Sequence, residues 1–212
     1  MIKSYKYRLY PTKKQIQSLT TQLGGHRFLY NKALEQRKDV YEKTGKGITY
    51  NAQATNLTPK LRKESKNISL CNYSSLQQTL RRLDKSFKAF FRRVKRGEKP
   101  GYPRFKCAHR FNTIFYGAIG DGCQIKEGRL YLQNAGLVKV KWHRPIGCKI
   151  KTLYVTRRDS KWHVSFFVEC EPELLPKTGR EIGIDMGLNS FIATSDRQKI
   201  NAPKYFRKSE RM

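Results

Sequence analysis

Asp185 lies in the run Arg180-Glu181-Ile182-Gly183-Ile184-Asp185-Met186-Gly187-Leu188-Asn189-Ser190-Phe191-Ile192-Ala193-Thr194-Ser195. The pattern reads as a strand, a glycine turn and a second strand, with a carboxylate where the first strand ends. A carboxylate in that position can supply an oxygen ligand to a divalent cation. An ordinary hairpin whose Asp caps its turn gives the same pattern. A second chemical signal is a run of cations, Arg81, Arg82, Lys85, Lys88, Arg92, Arg93, Lys95 and Arg96, with Asp84 as the acid among them. A solvated helix face normally alternates Glu with Lys or Arg at i±4. A one-sign face instead suits a phosphate backbone.

Composition supports the second signal. The chain has 212 residues with 45 Lys and Arg against 16 Asp and Glu, a formal net charge of +29. Like charges in such excess repel and weaken the compact state, and a polyanionic partner removes that penalty. Nucleic acid fits best, ahead of an acidic membrane surface. Met1-Ile2-Lys3 leads into a polar strand rather than a signal peptide, and no apolar run approaches spanning length. A reduced cytosolic setting and no membrane partner are expected. The cysteines, 71, 107, 123, 148 and 170, are scattered and form no C-x-x-C pair. Neither a disulfide framework nor a zinc site is therefore expected.

The elements that must position these groups follow from periodicity. Residues 2–10 alternate, with Tyr5, Tyr7 and Leu9 on one face and Lys6 and Arg8 on the other. Pro11 ends that strand and Thr12 is placed to cap a helix. Helical spacing then runs from Lys13 to Tyr41, with Gly24-Gly25 predicting a kink or two consecutive helices. A short helical stretch spans Thr49 to Lys63, a connector spans 64–72, and the strongest helix runs from Ser74 to Arg96. Its stripe is Leu76, Leu80, Leu83, Phe87, Phe90 or Phe91, and Val94. Beyond Pro100 and Pro103 the segments 123–132, 137–142, 149–158 and 161–171 read as strands of a small barrel. His26, His109, His143 and His163 lack i,i+4 partners and read as surface or barrel residues.

In this order the motifs resemble the TnpB family, transposon-encoded RNA-guided DNA nucleases related to type V CRISPR effectors. The carrying residues are Tyr7-Arg8-Leu9-Tyr10-Pro11, Arg27-Phe28-Leu29-Tyr30-Asn31, Gly45-Lys46-Gly47-Ile48-Thr49-Tyr50 and Ser75-Leu76-Gln77-Gln78. Phe90-Phe91 through Gly101-Tyr102-Pro103-Arg104-Phe105, Glu127-Gly128-Arg129-Leu130 and Gly183-Ile184-Asp185-Met186-Gly187-Leu188 complete them. The resemblance covers the N-terminal part of that family. It implies an α+β protein: a wedge-type antiparallel β-barrel interrupted by a helical recognition lobe, then the first strands of a RuvC (ribonuclease-H-like) domain. The implied boundaries are 1–11 for the first wedge strand, 12–122 for the lobe, 123–178 for the rest of the wedge and 179–212 for the RuvC-like start.

The resemblance also implies roles. Guide RNA and a double-stranded DNA target would be the partners, with sequence choice delegated to base pairing. Tyr50 and Gln77 would face the short motif beside the target. Asp185 would be the first catalytic carboxylate and a ligand of Mg²⁺. The family's remaining acids and zinc ribbon fall downstream, and after Asp185 the acids of this sequence are Asp196 and Glu210. The expectation is a nuclease that is incomplete in this chain alone, using Mg²⁺ only where its site is completed. A separate chain carrying the missing acids would make it an active enzyme. A basic, ribosomal-style RNA-binding protein is the alternative from another class. The isolated strands after residue 180 are expected to be mobile or aggregation-prone.

Overall fold

The computed structural model describes residues 1–172, 179, 181–187, 190–203 and 209. Residues 173–178 of the linker expected at 171–178, together with Arg180, Leu188, Asn189 and Glu210, lie outside the described residues. The chain divides into two units, Met1–Glu171 and Pro172–Met212.

In the first unit, β1 (Ile2–Tyr10) leads into α1 (Lys13–Thr44). Thr12 caps α1 as expected, in a reciprocal box: the Gln15 N–H donates to Thr12 Oγ1, and the Thr12 N–H donates to Gln15 Oε1. Gly45, at φ 66°, ends the helix in the left-handed conformation that glycine adopts without a Cβ clash. α2 (Tyr50–Ala52), a π turn (Gln53–Leu57), α3 (Thr58–Glu64) and α4 (Lys66–Ser69) follow. α5 (Tyr73–Lys95) begins at Asn72, whose side chain accepts the Ser75 N–H at 2.8 Å.

Of the kink or two consecutive helices expected at Gly24-Gly25, the two helices do not occur: α1 is one helix from Lys13 to Thr44. A Cβ on Gly25 would lie 2.8 Å from the Asn67 carbonyl oxygen and 2.9 Å from Cys71 Sγ. The glycine therefore allows α4 and the turn after it to close onto α1, rather than interrupting α1. The connector expected at 64–72 contains α4, and Ile68 within it is fully buried.

The sheet strands are β2 (Thr113–Tyr116), β3 (Cys123–Lys126), β4 (Arg129–Leu132), β5 (Gly136–Lys141), β6 (Lys149–Arg158) and β7 (Lys161–Glu169). With β1 they form one curled antiparallel sheet in the order β2-β6-β7-β1-β5-β4-β3. β2 was not anticipated: beyond α5, strand character was read only from Cys123 onward. It pairs with β6 from Thr113 opposite Thr156 to Tyr116 opposite Leu153. Glu127-Gly128 joins β3 to β4 and Asp159-Ser160 joins β6 to β7 as two-residue hairpin turns, all four residues at positive φ.

Alternation places Tyr7, Leu9, Val155, Trp162, Val164, Phe166 and Val168 on the inner face, all buried. The core continues through Leu19, Leu29 and Leu34 of α1 and Leu76, Leu80 and Leu83 of α5. Each such side chain contributes roughly 1.5–3 kcal/mol relative to exposure. The α5 stripe is buried only to Phe87; Phe91 and Val94 are exposed.

Two expectations fail in the core. Cys148 and Cys170 are joined as a disulfide, with Cα atoms 5.3 Å apart. The open end of the β6–β7 hairpin, where Lys149 faces Glu169, brings together cysteines that sequence spacing keeps apart. His26 is neither a surface nor a barrel residue: it is 1% exposed, between α1 and α5.

In the second unit β8 (Ile184–Asp185), β9 (Ser190–Thr194) and β10 (Lys199–Asn201) form an antiparallel meander in the order β10-β9-β8. The strand pair expected here has β10 as a third member, reached through Asp196 and Arg197, with Arg197 at φ 64°.

Candidate nucleic-acid interface

α5 presents Arg81, Arg82, Lys85, Lys88, Arg92, Arg93, Lys95 and its cap residue Arg96 exposed to solvent. As far as Phe87 the buried apolar stripe anchors the opposite side of the helix and holds Arg81, Arg82, Lys85 and Lys88 outward, and beyond it the last turns of α5 are exposed all round. Glu98 lies 3.9 Å from Arg93 and 3.8 Å from Arg96, and Asp84 offsets Lys88 alone among the cations while sharing its carboxylate with the buried Arg37. It accepts from Arg37 Nη2 at 3.1 Å and from Lys88 Nζ at 3.0 Å. Burial pushes the Asp84 carboxyl up, but the hydrogen bonds and charges of Lys88 and Arg37 outweigh it and hold the group below its ordinary value. Arg37, 8% exposed, also donates to Gln53 Oε1 at 2.8 Å and lies 4.9 Å from the Phe87 ring centroid. This buried network locks α1, the π turn and α5 together beneath the basic face.

Tyr50 and Gln77 are brought together, with Arg81 as a third member. Tyr50 donates its phenolic hydrogen to Gln77 Oε1 at 3.2 Å and accepts from Arg81 Nε at 3.2 Å. The Arg81 guanidinium also lies 5.3 Å from the Tyr50 ring centroid. Thr49 caps α2 by accepting the Ala52 N–H, which fixes the backbone of Tyr50. The sequence does not reveal the Arg81 link. Its one available signal was the i,i+4 spacing of Gln77 and Arg81 on α5.

Between α5 and the outer face of β2, β6 and β7 lies a cleft of about 550 Å³. Sequence reasoning missed it, since Phe115 belongs to the unanticipated β2. The alternation of β7 could have drawn attention to Ser165 and Phe167, which point away from the core.

Asp185 is exposed on β8, opposite Ala193 of β9. Beside it, Gly183 and Ser195 bond reciprocally: the Gly183 N–H donates to Ser195 Oγ at 3.0 Å and the Ser195 N–H donates to the Gly183 carbonyl at 2.8 Å. Among the described residues no three His, Cys, Asp or Glu groups converge on a point that could hold a metal. A hard divalent cation requires several oxygen ligands. A single exposed carboxylate therefore does not by itself fit a magnesium site. Among the described residues no helix is long and apolar enough to cross a membrane.

Comparison with known proteins bears on the whole chain. A helix-turn-helix domain model of the IS605 OrfB type matches residues 1–46. Those residues form β1 and the unbroken α1, so here the matched segment is a strand and one long helix. A Streptomyces pristinaespiralis protein named "Putative RNA-guided DNA endonuclease" is 32% identical over 97% of this chain and 51% of its own length. An Escherichia coli K12 protein, InsQ, with the same description, is 24% identical over 99% of this chain and 51% of its own. A chain of a CRISPR-Cas12f ternary complex solved by cryo-EM matches at 14% identity and a TM-score of 0.48, over 92% of this chain and 50% of that one. The family model and the two curated relatives bear out the likeness to TnpB-type proteins read from the motifs. The chain spans about half the length of the curated relatives it matches.

Proposed function

We propose that this chain is the nucleic-acid-binding part of an RNA-guided DNA endonuclease of the TnpB type, holding a guide RNA and the DNA target paired to it. The observation that carries the proposal is the exposed cation face of α5, eight cations whose one helix acid, Asp84, is shared between Lys88 and the buried Arg37. Its relatives are named as RNA-guided DNA endonucleases, and a face that binds phosphates without reading bases suits a protein whose specificity comes from base pairing.

In this reading β1 and the strands of 123–178 are the wedge, the helices within 12–122 are the recognition lobe, and the strands after residue 179 begin the RuvC-like domain. Tyr50 and Gln77, fixed by Arg81, face the short motif beside the target. Gln can contact adenine through both its amide groups, and Tyr can contact sugar or stack. Asp185 contributes the first carboxylate of a magnesium-dependent site whose other ligands are not among the described residues. A polypeptide of these 212 residues then binds without cutting.

The test is to purify the chain from cells carrying its own genomic neighbourhood and sequence the RNA that remains bound. One dominant, structured transcript is expected. Bulk RNA in proportion to its abundance would favour the non-specific, ribosomal-style alternative instead.

A further inference from the structure

We infer that the cleft between α5 and the outer face of β2, β6 and β7 is a binding site for unpaired nucleotides, with bases against an aromatic floor and phosphates along a basic wall. This rests on the nucleic-acid-binding reading above and assigns one ligand chemistry to one place.

The floor is set by strand register. Phe115 of β2 faces Tyr154 of β6 directly, and their ring centroids are 4.5 Å apart. Phe167 of β7 lies diagonally beyond, because Tyr154 pairs with Ser165 two residues earlier, and its ring is 5.1 Å from that of Tyr154. These aromatics stand on the face of the sheet opposite the core, where each is only half-buried. Alternation alone would fill such positions with charged or small polar residues. Three contiguous half-exposed rings on a sheet face form a stacking platform. Thr113, Thr156 and Ser165 stand on the same face and also line the cleft, with the Thr113 and Thr156 hydroxyls bonded to each other at 3.2 Å.

The wall is Arg81, Arg82 and Lys85, and no carboxylate lines the cleft. Arg82 is held in place over the Phe111 ring, 5.4 Å from its centroid. A volume of about 550 Å³ lies within the ~300–1,000 Å³ range of small-ligand pockets, room for a nucleotide rather than a helix. A duplex hides its base faces in its own stack, so only an unpaired stretch offers those faces to the floor. The cleft therefore suits the single-stranded junction at the edge of a duplex or of a folded transcript.

The test measures binding of fluorescein-labelled ten-nucleotide single-stranded RNA, single-stranded DNA of the same sequence, and the blunt duplex, by anisotropy at several salt concentrations. Tyr154→Ala and Phe115→Ala are expected to weaken single-strand binding about 10-fold or more, leave duplex binding unchanged, and leave the salt slope unchanged. Tyr154→Phe should retain wild-type affinity. Arg82→Gln and Lys85→Gln should each reduce the salt slope by about 1. The RNA and DNA arms show which strand the cleft prefers.

Crosslinking of 5-iodouridine-containing RNA and 5-iododeoxyuridine-containing DNA to the unmodified protein reads the site without relying on the folding of any variant. Adducts on the peptides bearing Phe115, Tyr154 or Phe167 are expected. Adducts confined to other peptides, or aromatic variants that lose duplex and single-strand binding equally, would overturn the assignment. Loss of guide-directed DNA capture with single-strand binding intact would refute the proposed function and leave the cleft standing.

Discussion

Tyr50 and Gln77, on separate helices, share a hydrogen bond in which the Tyr50 hydroxyl donates to Gln77 Oε1 at 3.2 Å. Arg81 Nε donates in turn to that hydroxyl at 3.2 Å, so the three side chains form one hydrogen-bonded chain that ends on the Gln77 amide and holds it in place. A positioned amide can distinguish bases where a free one cannot.

Gln77→Ala is therefore expected to relax the preference for one base at a single position of the target-adjacent motif. A good bidentate contact contributes about 1–3 kcal/mol of discrimination, roughly 5- to 150-fold. Tyr50→Phe, which removes the donated hydrogen bond and keeps the ring, should relax the same position less. Selection from a randomised motif library reads both. An unchanged preference in Gln77→Ala would remove Gln77 from any reading role.

Gly24 and Gly25 provide a paired test of packing. Ala at either position gains roughly 0.5–1 kcal/mol of helix propensity over Gly. A Cβ at Gly24 meets nothing within 4 Å, whereas at Gly25 it meets the Asn67 carbonyl oxygen at 2.8 Å. Gly24→Ala should raise the melting temperature by a few degrees, and Gly25→Ala should lower it. Equal gains from both substitutions would show that α4 does not pack closely on α1.

His26 sets a pH dependence. The Thr79 hydroxyl donates to the Ser75 carbonyl, so Nδ1–H donates to Thr79 Oγ1 at 2.9 Å and Nε2 accepts from the Ser75 hydroxyl at 3.3 Å. That arrangement holds the neutral ring, and burial lowers its pKa from 6.5 to about 3. Between those values the unfolded chain binds a proton that the folded chain refuses, so stability is full above 6.5 and falls as pH drops toward 3. The slope is at most about 1.4 kcal/mol per pH unit. Urea denaturation at pH 7.5 and pH 5 should show this loss, and His26→Gln should flatten it. An unchanged slope in the variant would place the titration elsewhere.

Local patterns carried most of the elements. The alternation of Trp162, Val164, Phe166 and Val168 and the N-cap at Thr12 were legible because a two-residue period and a cap are properties of adjacent residues. What escaped depends on contacts distant in sequence. β2 is four residues long and reads as strand only beside β6. Gly25 looks like a helix breaker until Asn67 is placed against it. Cys148 and Cys170 meet only once the hairpin register is set, and His26 looks like a surface residue until α5 covers it. At the candidate site, the α5 cations were legible by charge alone and Tyr50 with Gln77 by resemblance. The Arg81 link and the aromatic cleft were not, since each joins side chains from elements far apart in the chain.

The most direct measurement is capture of double-stranded DNA by the chain loaded with its co-purified RNA, before and after the RNA's targeting segment is replaced by an unrelated sequence. Captured DNA should follow the new segment, with the same adjacent motif retained and affinity falling by orders of magnitude between low and moderate salt. Capture that ignores the replacement, or is equal with and without RNA, would contradict a guide-holding role for the basic face of α5.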